Sequence, residues 1–408
     1  MALPFLAGVR VVDVSQYIPG PYAALMLADM GAEVVKVEPP GGDPMRGLGP
    51  RDRDGISPFW KLMNGGKTVV ELDLKQPAAK DAFAGLLAAA DVLIESYRPG
   101  VMDRLGVGRE KLAALNPRLV HAALSGYGQT GPWRLRTGHD LNYVALAGGL
   151  AASGALISDE KRRPAMMAPP VADFASGLQT ALTVCGALIG RGRSGKGAYL
   201  DLSLAETVLA WQSLNLTAAL RPGFEPALAA NLLNGGAACY QIYQAADGRF
   251  VTLAAIEEKF WANFCAAVGH PEWTGRQWET MPQAALVAEL GALFASRDVE
   301  AWERLLGSVD CCFGLVVDPA DLPAHPQVAA RAMLARHQTA DPTIEALFPA
   351  HVDGTAPGPR PRVAFADAAA VLGRWQAPSW TGPNERVDPQ PDGPVLLSRP
   401  HGEVDESH

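Results

Sequence analysis

The feature that most constrains the fold is a regular alternation, over the first half of the chain, of short β-branched runs with helical stretches. One helical stretch is 21–31, where Pro21 suits a first helical turn and Gly31 suits a stop. Strands alternating with helices form βαβ units, so this half predicts a mostly parallel sheet with helices on its faces. The predicted strands are 10–15, 33–38, 68–74, 91–97 and 119–126.

The second half of the chain follows a different pattern. Residues 172–190 predict a largely buried helix, and 197–215 predict a strand that passes into another helix. Residues 239–256 predict a β-hairpin with Asp247-Gly248 as a two-residue turn. Because 408 residues exceed the size at which one hydrophobic core keeps growing, we expect two domains, the smaller one at 225–325.

The charge of the chain limits its partners. With 35 Lys and Arg against 43 Asp and Glu, the net charge is −8 at pH 7. A sequence-independent grip on nucleic acid needs a basic surface, so we expect no nucleic-acid partner. An anionic ligand must then be held by a local basic patch.

Several classes of protein are disfavoured by what the sequence does not contain. The five cysteines are odd in number and lack paired metal spacing, so we predict neither a disulfide framework nor a metal site. The first fifteen residues do not resemble a signal peptide. Even the apolar run 175–190 carries Ser176, Gln179 and Thr180, so we expect no membrane helix, which needs roughly 18 apolar residues. A cytoplasmic protein is the resulting expectation.

Polar residues follow several of the predicted strands. In open α/β sheets, ligands bind outside the carboxyl ends of the strands. The residues at these ends are candidates for ligand binding and include Gln16, Asp73, Ser96, Tyr97 and Gly126.

A set of longer motifs, in a fixed order between Leu6 and Met333, carries a family resemblance. The chain resembles the family III (CaiB/BaiF-like) CoA-transferases, a group that also contains the α-methylacyl-CoA racemases. The motifs are "LAGVRVVDVSQYIPGPYAALMLADMGAEVVKVEPPGGDPMR", "NGGKTVVELDLK", "SYRPGVMDRLG", "SGYGQTGP", "GHDLNY", "DFASG", "GGAACYQIYQAADG" and "HPQVAARAM".

The resemblance implies a particular architecture. It implies an α/β fold with a large Rossmann-like domain, formed by 1–205 together with 330–408, and a smaller α+β domain at 225–325. The segments 206–224 and 326–330 would be linkers. It further implies that two chains thread through each other as an interlocked homodimer.

The resemblance also implies a CoA thioester as substrate, with no permanently bound cofactor. Family members place CoA at positions that match Leu72 to Lys75, Ser96 to Arg98 and Arg104. Lys75, Arg98 and Arg104 could supply positive charge to the phosphates of CoA, although each could also be an ordinary solvated charge. The CoA-binding candidates are Gln16, Leu72, Asp73, Lys75, Ser96, Tyr97, Arg98 and Arg104.

The chemistry of the family divides at two positions. In transferases an aspartate, matched by Asp173, attacks the thioester and forms an anhydride and then an enzyme-bound CoA thioester. Racemases pair this aspartate with a histidine, matched by His139, where many transferases carry tyrosine. Inversion needs one group to remove a proton from one face while another delivers a proton to the opposite face. Racemase-type members also present a glutamate to the histidine, matched by Glu257, which would orient the ring and favour its protonated form.

Other interpretations of these residues remain open. Asp173 stands near the start of an apolar helix, where aspartate is a favoured N-cap. Asp140 could bind backbone amides of the 137–140 turn, or could lie beside Asp173 and tune it. Racemase-like members read NLLDGGAP where this chain has "NLLNGGAACY", so Asn234 and Ala238 depart from the pattern.

The sequence therefore predicts an enzyme that epimerises the α-carbon of a 2-methylacyl-CoA, with His139, Asp173, Glu257 and Asp140 as the catalytic group. A CoA-transferase that uses Asp173 as nucleophile is the alternative. The chain exceeds typical racemases in length, which favours the transferase, but it lacks the glycine-rich loop of the formyl-CoA transferase type. A non-catalytic CoA-binding protein is a third interpretation.

Overall fold

A computed structural model describes residues 3–158, 161–166, 168–221, 230–337 and 343–376. Residues 222–224 of the predicted linker and the C-terminal stretch 377–408 lie outside these ranges.

The parallel sheet predicted for the first half is confirmed. Seven strands form one sheet in the order β14-β3-β2-β1-β4-β5-β8, and every neighbouring pair is parallel. The strands of this sheet are β1 (Arg10–Asp13), β2 (Glu33–Glu38), β3 (Thr68–Glu71), β4 (Val92–Glu95), β5 (Val120–Ser125), β8 (Ala198–Ser203) and β14 (Ala364–Phe365).

Smaller antiparallel sheets accompany the large one. Their strands are β6 (Gly154–Ser158) with β7 (Lys161–Pro164), β9 (Tyr240–Gln244) with β10 (Phe250–Ala254) and β11 (Phe313–Leu315), and β12 (Leu334–His337) with β13 (Thr343–Ala346).

Helices connect most of the parallel strands and fill much of the remaining chain. They are α1 (Pro19–Asp29), α2 (Pro58–Asn64), α3 (Pro77–Ala89), α4 (Val101–Leu105), α5 (Arg109–Leu115), α6 (Asp140–Leu146), α7 (Gly149–Ala152), α8 (Val171–Ser194), α9 (Leu204–Trp211), α10 (Ser213–Ala219), α11 (Glu258–Val268), α12 (Ala284–Phe294), α13 (Val299–Leu306), α14 (Pro326–Ala330) and α15 (Ala368–Gln376). Short 3-10 turns cover Pro4–Leu6, Pro44–Gly47, Leu232–Asn234, Pro271–Arg276 and Leu322–Ala324.

The large sheet is buried on both faces, as the continuous apolar runs of its strands require. One face packs Val12, Val35 and Leu93 against α3 and α15. The opposite face packs Val11 and Ile94 against α1 and α8. Both faces are covered, so the free surface of this sheet is confined to its strand ends, where ligands bind.

The C-terminal part of the described chain returns to the large sheet. β14 extends the sheet beside β3, and α15 packs against α3. Arg360, just before this strand, forms buried ion pairs with Asp29 at 2.7 Å and Glu345 at 3.4 Å. These contacts attach the segment before β14 to β13 and to α1, which is far away in sequence.

The hairpin predicted at 239–256 is present, but its turn differs from the prediction. Ala245 N donates to Arg249 O at 2.9 Å, so the loop has three residues, Ala246 to Gly248, and not two. Gly248 has φ +82°, the left-handed conformation that closes three-residue hairpin loops. Behind the hairpin, stacked aromatic rings of Phe264 and Phe294 lie in a separate hydrophobic core.

Helix α8 corrects two expectations. By length and composition it could cross a membrane, with a mean hydropathy of 1.3 over an 18-residue window, because its many Leu, Val and Ala outweigh the few polar residues. It packs against α1 and the large sheet, and 39% of that window is buried. The helix is also less buried than predicted, since Leu178, Leu182 and Ile189 are 54–65% exposed in this chain.

Candidate active site

A cavity of about 770 Å³ opens at the carboxyl ends of β1, β4 and β5. It is the position at which a sheet of this kind binds ligands. The lining residues come from the turns after these three strands, from the segment before α6 and from the first turn of α8.

His139 and Asp173 both line this cavity. His139 is the residue immediately before α6, and its backbone N–H donates to Asn142 Oδ1 at 3.1 Å. Its imidazole meets the edge of the Tyr17 ring, with the two ring centroids 6.4 Å apart. The ring is otherwise exposed, so in this chain one side of the cavity lies open beside it.

Asp173 lies in the first turn of α8 and does not cap it, because the helix begins at Val171 with Pro170 in the cap position. A helix N-terminus favours a negative charge. Nevertheless burial, and secondly the Asp140 carboxylate, raise the pKa of Asp173 from 3.8 to about 7. The group can therefore accept or release a proton near neutral pH, as a general acid or base must.

Asp140 lies beside Asp173, which is the position that the second of its two interpretations predicted. Asp140 Oδ1 accepts a hydrogen bond from the backbone N–H of Asp173 at 3.1 Å. This bond connects the start of α6 to the start of α8. It fixes the distance between the segments that carry His139 and Asp173.

The glycine before His139 allows the surrounding turn to pack closely. A Cβ on Gly138 would lie 2.8 Å from the Tyr127 hydroxyl and 2.9 Å from the Tyr143 ring. The Tyr143 hydroxyl donates to Gly138 O at 2.5 Å, and burial raises the pKa of Tyr143 to about 12. Tyr143 therefore stays a neutral donor that holds the turn in place.

The predicted CoA-binding residues separate into two groups. Gln16, Ser96, Tyr97 and Arg98 line the cavity with His139 and Asp173. The backbone N–H of Gln16 donates to Ser96 Oγ at 3.0 Å, which joins the turns after β1 and β4.

The other four candidates lie away from this cavity. Leu72 borders a second cavity of about 720 Å³, between the ends of β2, β3 and β14. Asp73 accepts from Lys75 N at 3.1 Å and from Gln76 Nε2 at 3.2 Å, so its carboxylate closes a local turn. Lys75 and Arg104 are exposed and line neither cavity.

Several lining residues were not predicted from the sequence. Tyr17 has φ +62°, a conformation rare for a residue with a side chain. Arg134 and Arg136 add positive charge to the cavity wall, and the Arg136 guanidinium lies over the Trp133 ring. The two arginines stand five and three residues before His139 in "RLRTGHD", and this spacing could have indicated that they lie near the same site.

Glu257 is not brought to His139 within one chain. It precedes α11, is exposed, and does not line the cavity. Burial, and secondly the Glu257 carboxylate, raise the pKa of Cys312. Glu257 therefore lies near Cys312 in this chain.

The two departures from the racemase-like pattern have local explanations. Asn234 Oδ1 accepts from Asn231 N at 2.7 Å and from Ala230 N at 3.1 Å, so this side chain supports its own turn. Ala238 donates its N–H to Gln283 Oε1 at 2.9 Å. Proline has no N–H and could not make this bond.

Comparisons with known proteins identify the family of this chain. The family model described as "CoA-transferase family III" matches residues 6–363. Human alpha-methylacyl-CoA racemase is 34% identical over 314 residues, covering 75% of this chain and 76% of the relative. Acetyl-CoA:oxalate CoA-transferase of Acetobacter aceti is 33% identical over 334 residues, covering 80% and 84%.

A solved structure gives the same result. A CAIB/BAIF family protein from Brucella suis has a TM-score of 0.77 at 26% identity, covering 92% of this chain and 100% of that one. Since the family model matches most of the chain and the relatives include both racemases and CoA-transferases, the chain belongs to CoA-transferase family III.

Proposed function

We propose that this protein epimerises the α-carbon of a 2-methylacyl-CoA thioester by two-base proton transfer. The observation that carries the proposal is that His139 and Asp173, the two groups such a reaction needs, line one cavity at the sheet end. The pKa of about 7 for Asp173 suits a group that is protonated in one half of the cycle and ionised in the other.

The reaction has two steps. In one direction the Asp173 carboxylate removes the α-proton from one face of the thioester, and the electron pair becomes an enolate. Imidazolium at His139 then delivers a proton to the opposite face, which leaves Asp173 protonated and His139 neutral. In the other direction the two groups exchange roles, so one site serves both configurations. Backbone N–H groups at the start of α8 are suited to stabilise the enolate oxygen.

Local positive charge supports an acyl-CoA substrate. Arg98, Arg134 and Arg136 line the cavity of a protein whose net charge is −8. Arginine recognises phosphate and carboxylate groups through several parallel N–H donors. Lys75 and Arg104, on the exposed surface outside the cavity, would contact the outer part of a bound CoA.

An interlocked homodimer completes the proposal. Trp211, Leu214 and Leu220, on and just after α9 and α10, are 60–85% exposed, and the outer side of α8 is also apolar and exposed. Exposed apolar surface on this scale marks an interface. A second copy of the chain would cover it and place Glu257 of the partner subunit beside His139. That carboxylate would orient the imidazole and favour its protonated form.

The proposal is tested with one C2 epimer of a 2-methylacyl-CoA and no acceptor acid. We expect the other epimer to accumulate until both are present in nearly equal amounts, as separated by chromatography. If the added epimer stays pure while the same preparation binds CoA, the proposed reaction is wrong.

A CoA-transferase that uses Asp173 as nucleophile is the second candidate. The observation in its favour is that a CoA-transferase relative is as similar to this chain as the racemase is, at 33% against 34% identity. Such an enzyme requires an acceptor acid and forms an aspartyl thioester. Hydroxylamine added during turnover would then modify Asp173, whereas turnover without a modified aspartate would contradict this mechanism.

A further inference from the structure

A cluster of buried charges lies beside the turn after β1, which borders the cavity. Lys67 Nζ lies 3.0 Å from Asp13 Oδ2, and Lys36 Nζ lies 3.1 Å from Asp43 Oδ2. All four side chains are at most 1% exposed. Glu38 adjoins them, accepting from Asp43 N at 3.2 Å.

This cluster holds the turn from Ser15 to Tyr17, which follows β1 and borders the cavity. Asp13 accepts from Ser15 N at 2.9 Å. Lys36 Nζ donates to Ser15 O at 2.8 Å, and Asp43 Oδ1 accepts from Tyr17 N at 3.4 Å. Three buried charged side chains therefore bind the backbone of Ser15 and Tyr17 in one short turn.

The turn they hold is unfavourable by itself. Tyr17 has φ +62°, and a residue with a side chain adopts this conformation at a cost of roughly 1–2 kcal/mol. Such conformations persist only where the surroundings determine them, and they concentrate at functional sites. Here the conformation directs the Tyr17 ring against the His139 imidazole.

Stability alone does not account for the cluster. Transfer of charges from water into the interior is costly, and apolar residues of similar volume often stabilise a fold as well or better. The bonds of Lys36 and Asp43 instead end on backbone groups that border the cavity. A partly buried ion pair, Arg191 with Asp91 at 2.8 Å, lies at the amino end of β4, and neither residue lines the cavity.

We infer that Lys36 and Asp43 are positioning residues, which fix the Ser15–Tyr17 turn so that the Tyr17 ring holds His139 in its working orientation. The inference rests on the proposed catalytic role of His139. The inference also has a structural part, namely that the buried Lys36–Asp43 ion pair controls the environment of His139. This part can be measured without any substrate.

The test compares K36M/D43N with D91N/R191M. Each double variant removes one positive and one negative charge, and the amide introduced at position 43 keeps an oxygen for the Tyr17 N–H. In the first variant we expect the His139 ring resonances, assigned with H139Q in histidine-labelled protein, to move. In the second they should stay at their wild-type positions. The dissociation constant for coenzyme A should change less than about threefold in both, because only Gln16 of the eight residues proposed to bind CoA lies in this turn, and the arginines proposed to hold its phosphates are untouched.

Kinetics provide a second readout. We expect K36M/D43N to lower kcat for epimerisation about tenfold or more with little change in KM, since a small misplacement of a catalytic group is costly. In a Tyr17→Gly background the same double substitution should have little further effect, because the ring it positions is gone.

The outcomes separate the two proposals. Unmoved His139 resonances in K36M/D43N, or an equal loss of kcat with and without Tyr17, would overturn the positioning role. Wild-type protein that fails to epimerise would contradict the proposed function alone, and the resonance comparison would still decide the positioning role.

Discussion

The carboxyl group of Asp173 stands between opposing electrostatic influences. The first turn of a helix favours its ionised form, whereas burial and the nearby Asp140 carboxylate oppose it. Burial, and secondly Asp140, raise the pKa of Asp173 to about 7. An acid that stays protonated to near neutrality can return a proton to an enolate, which an ordinary aspartate could not do at pH 7.

Substitution of Asp140 should shift the pH dependence of the reaction. Proton removal by Asp173 requires the carboxylate, so the rate in that direction should rise with pH through about 7. Asp140→Asn removes the second cause of the raised pKa but keeps an oxygen for the Asp173 N–H. We expect the midpoint of the pH–rate profile to move to lower pH. An unchanged midpoint in an active variant would show that burial alone sets this pKa.

Asp173 should also reduce stability above neutral pH. Its pKa is about 7 in the folded protein and 3.8 in the reference state, so the folded state holds the proton more tightly. Stability from this group is complete below pH 3.8 and is lost as pH rises to about 7. Asp173→Asn should therefore raise the melting temperature by about 2 °C or more at pH 8 and by much less at pH 5. An equal change at both pH values would contradict this assignment.

Residue patterns alone gave only part of this site. His139 and Asp173 were recognised from family motifs, since a His-Asp dipeptide and an aspartate near a helix start have ordinary explanations. Tyr17 was missed because its role depends on a left-handed backbone conformation, which no residue pattern predicts. Lys75 and Arg104 lie on the exposed surface outside the cavity, and their contact with the phosphates of CoA stays a prediction.

At the scale of secondary structure, the site depends on how closely α1 and α8 pack. A Cβ on Gly177 would lie 2.6 Å from Pro19 O and 2.9 Å from the Tyr22 ring. Gly177 is one helical turn after Asp173, and Pro19 follows directly on the turn that carries Tyr17. The close approach therefore sets the separation of two walls of the cavity.

Gly177→Val should separate these helices. We expect a loss of stability of about 1–3 kcal/mol from overpacking, together with a larger loss of kcat than of CoA affinity. Gly291→Ala on α12 is the control, because no atom lies within 4 Å of its Cβ position and it lies away from the surface proposed to bind a second chain. This control should keep full activity and gain up to about 1 kcal/mol. Thermal melts and steady-state kinetics on both variants decide the comparison, and equal behaviour of the two would refute the packing role.

Elements were easier to predict than their ends. Alternating runs of Val and Ile indicated five strands of the large sheet, because parallel strands buried on both faces need continuous apolar sequence. The strand predicted to end at residue 74 ends at Glu71, since Asp73 binds the backbone N–H of Lys75 and turns the chain. Hydrogen bonds of this kind are made by single side chains and leave no periodic signal.

At the scale of the whole molecule, the described part of the single chain leaves one side of the cavity open and exposes a large apolar surface. His139 is open on one side, and Glu257 does not line the cavity. Both features are resolved if two chains share each active site. A symmetric dimer would then contain two sites, each built from both protomers.

Co-expression of two inactive variants tests this sharing. His139→Ala and Glu257→Gln, made separately, should each abolish most activity. In a mixed dimer one site would carry both substitutions and the other none. Random pairing should therefore restore about a quarter of wild-type activity. If separately tagged and purified mixed dimers remain inactive, His139 and Glu257 do not meet across chains.

The most direct test of the central claim is hydrogen exchange at the α-carbon in D2O, measured by mass spectrometry with each C2 epimer of a 2-methylacyl-CoA and no acceptor acid. The wild-type protein should introduce deuterium into both epimers. Because each base serves one face, His139→Gln should retain exchange with only one epimer and Asp173→Asn with only the other. Wild-type protein that leaves both epimers free of deuterium while binding CoA would contradict the account.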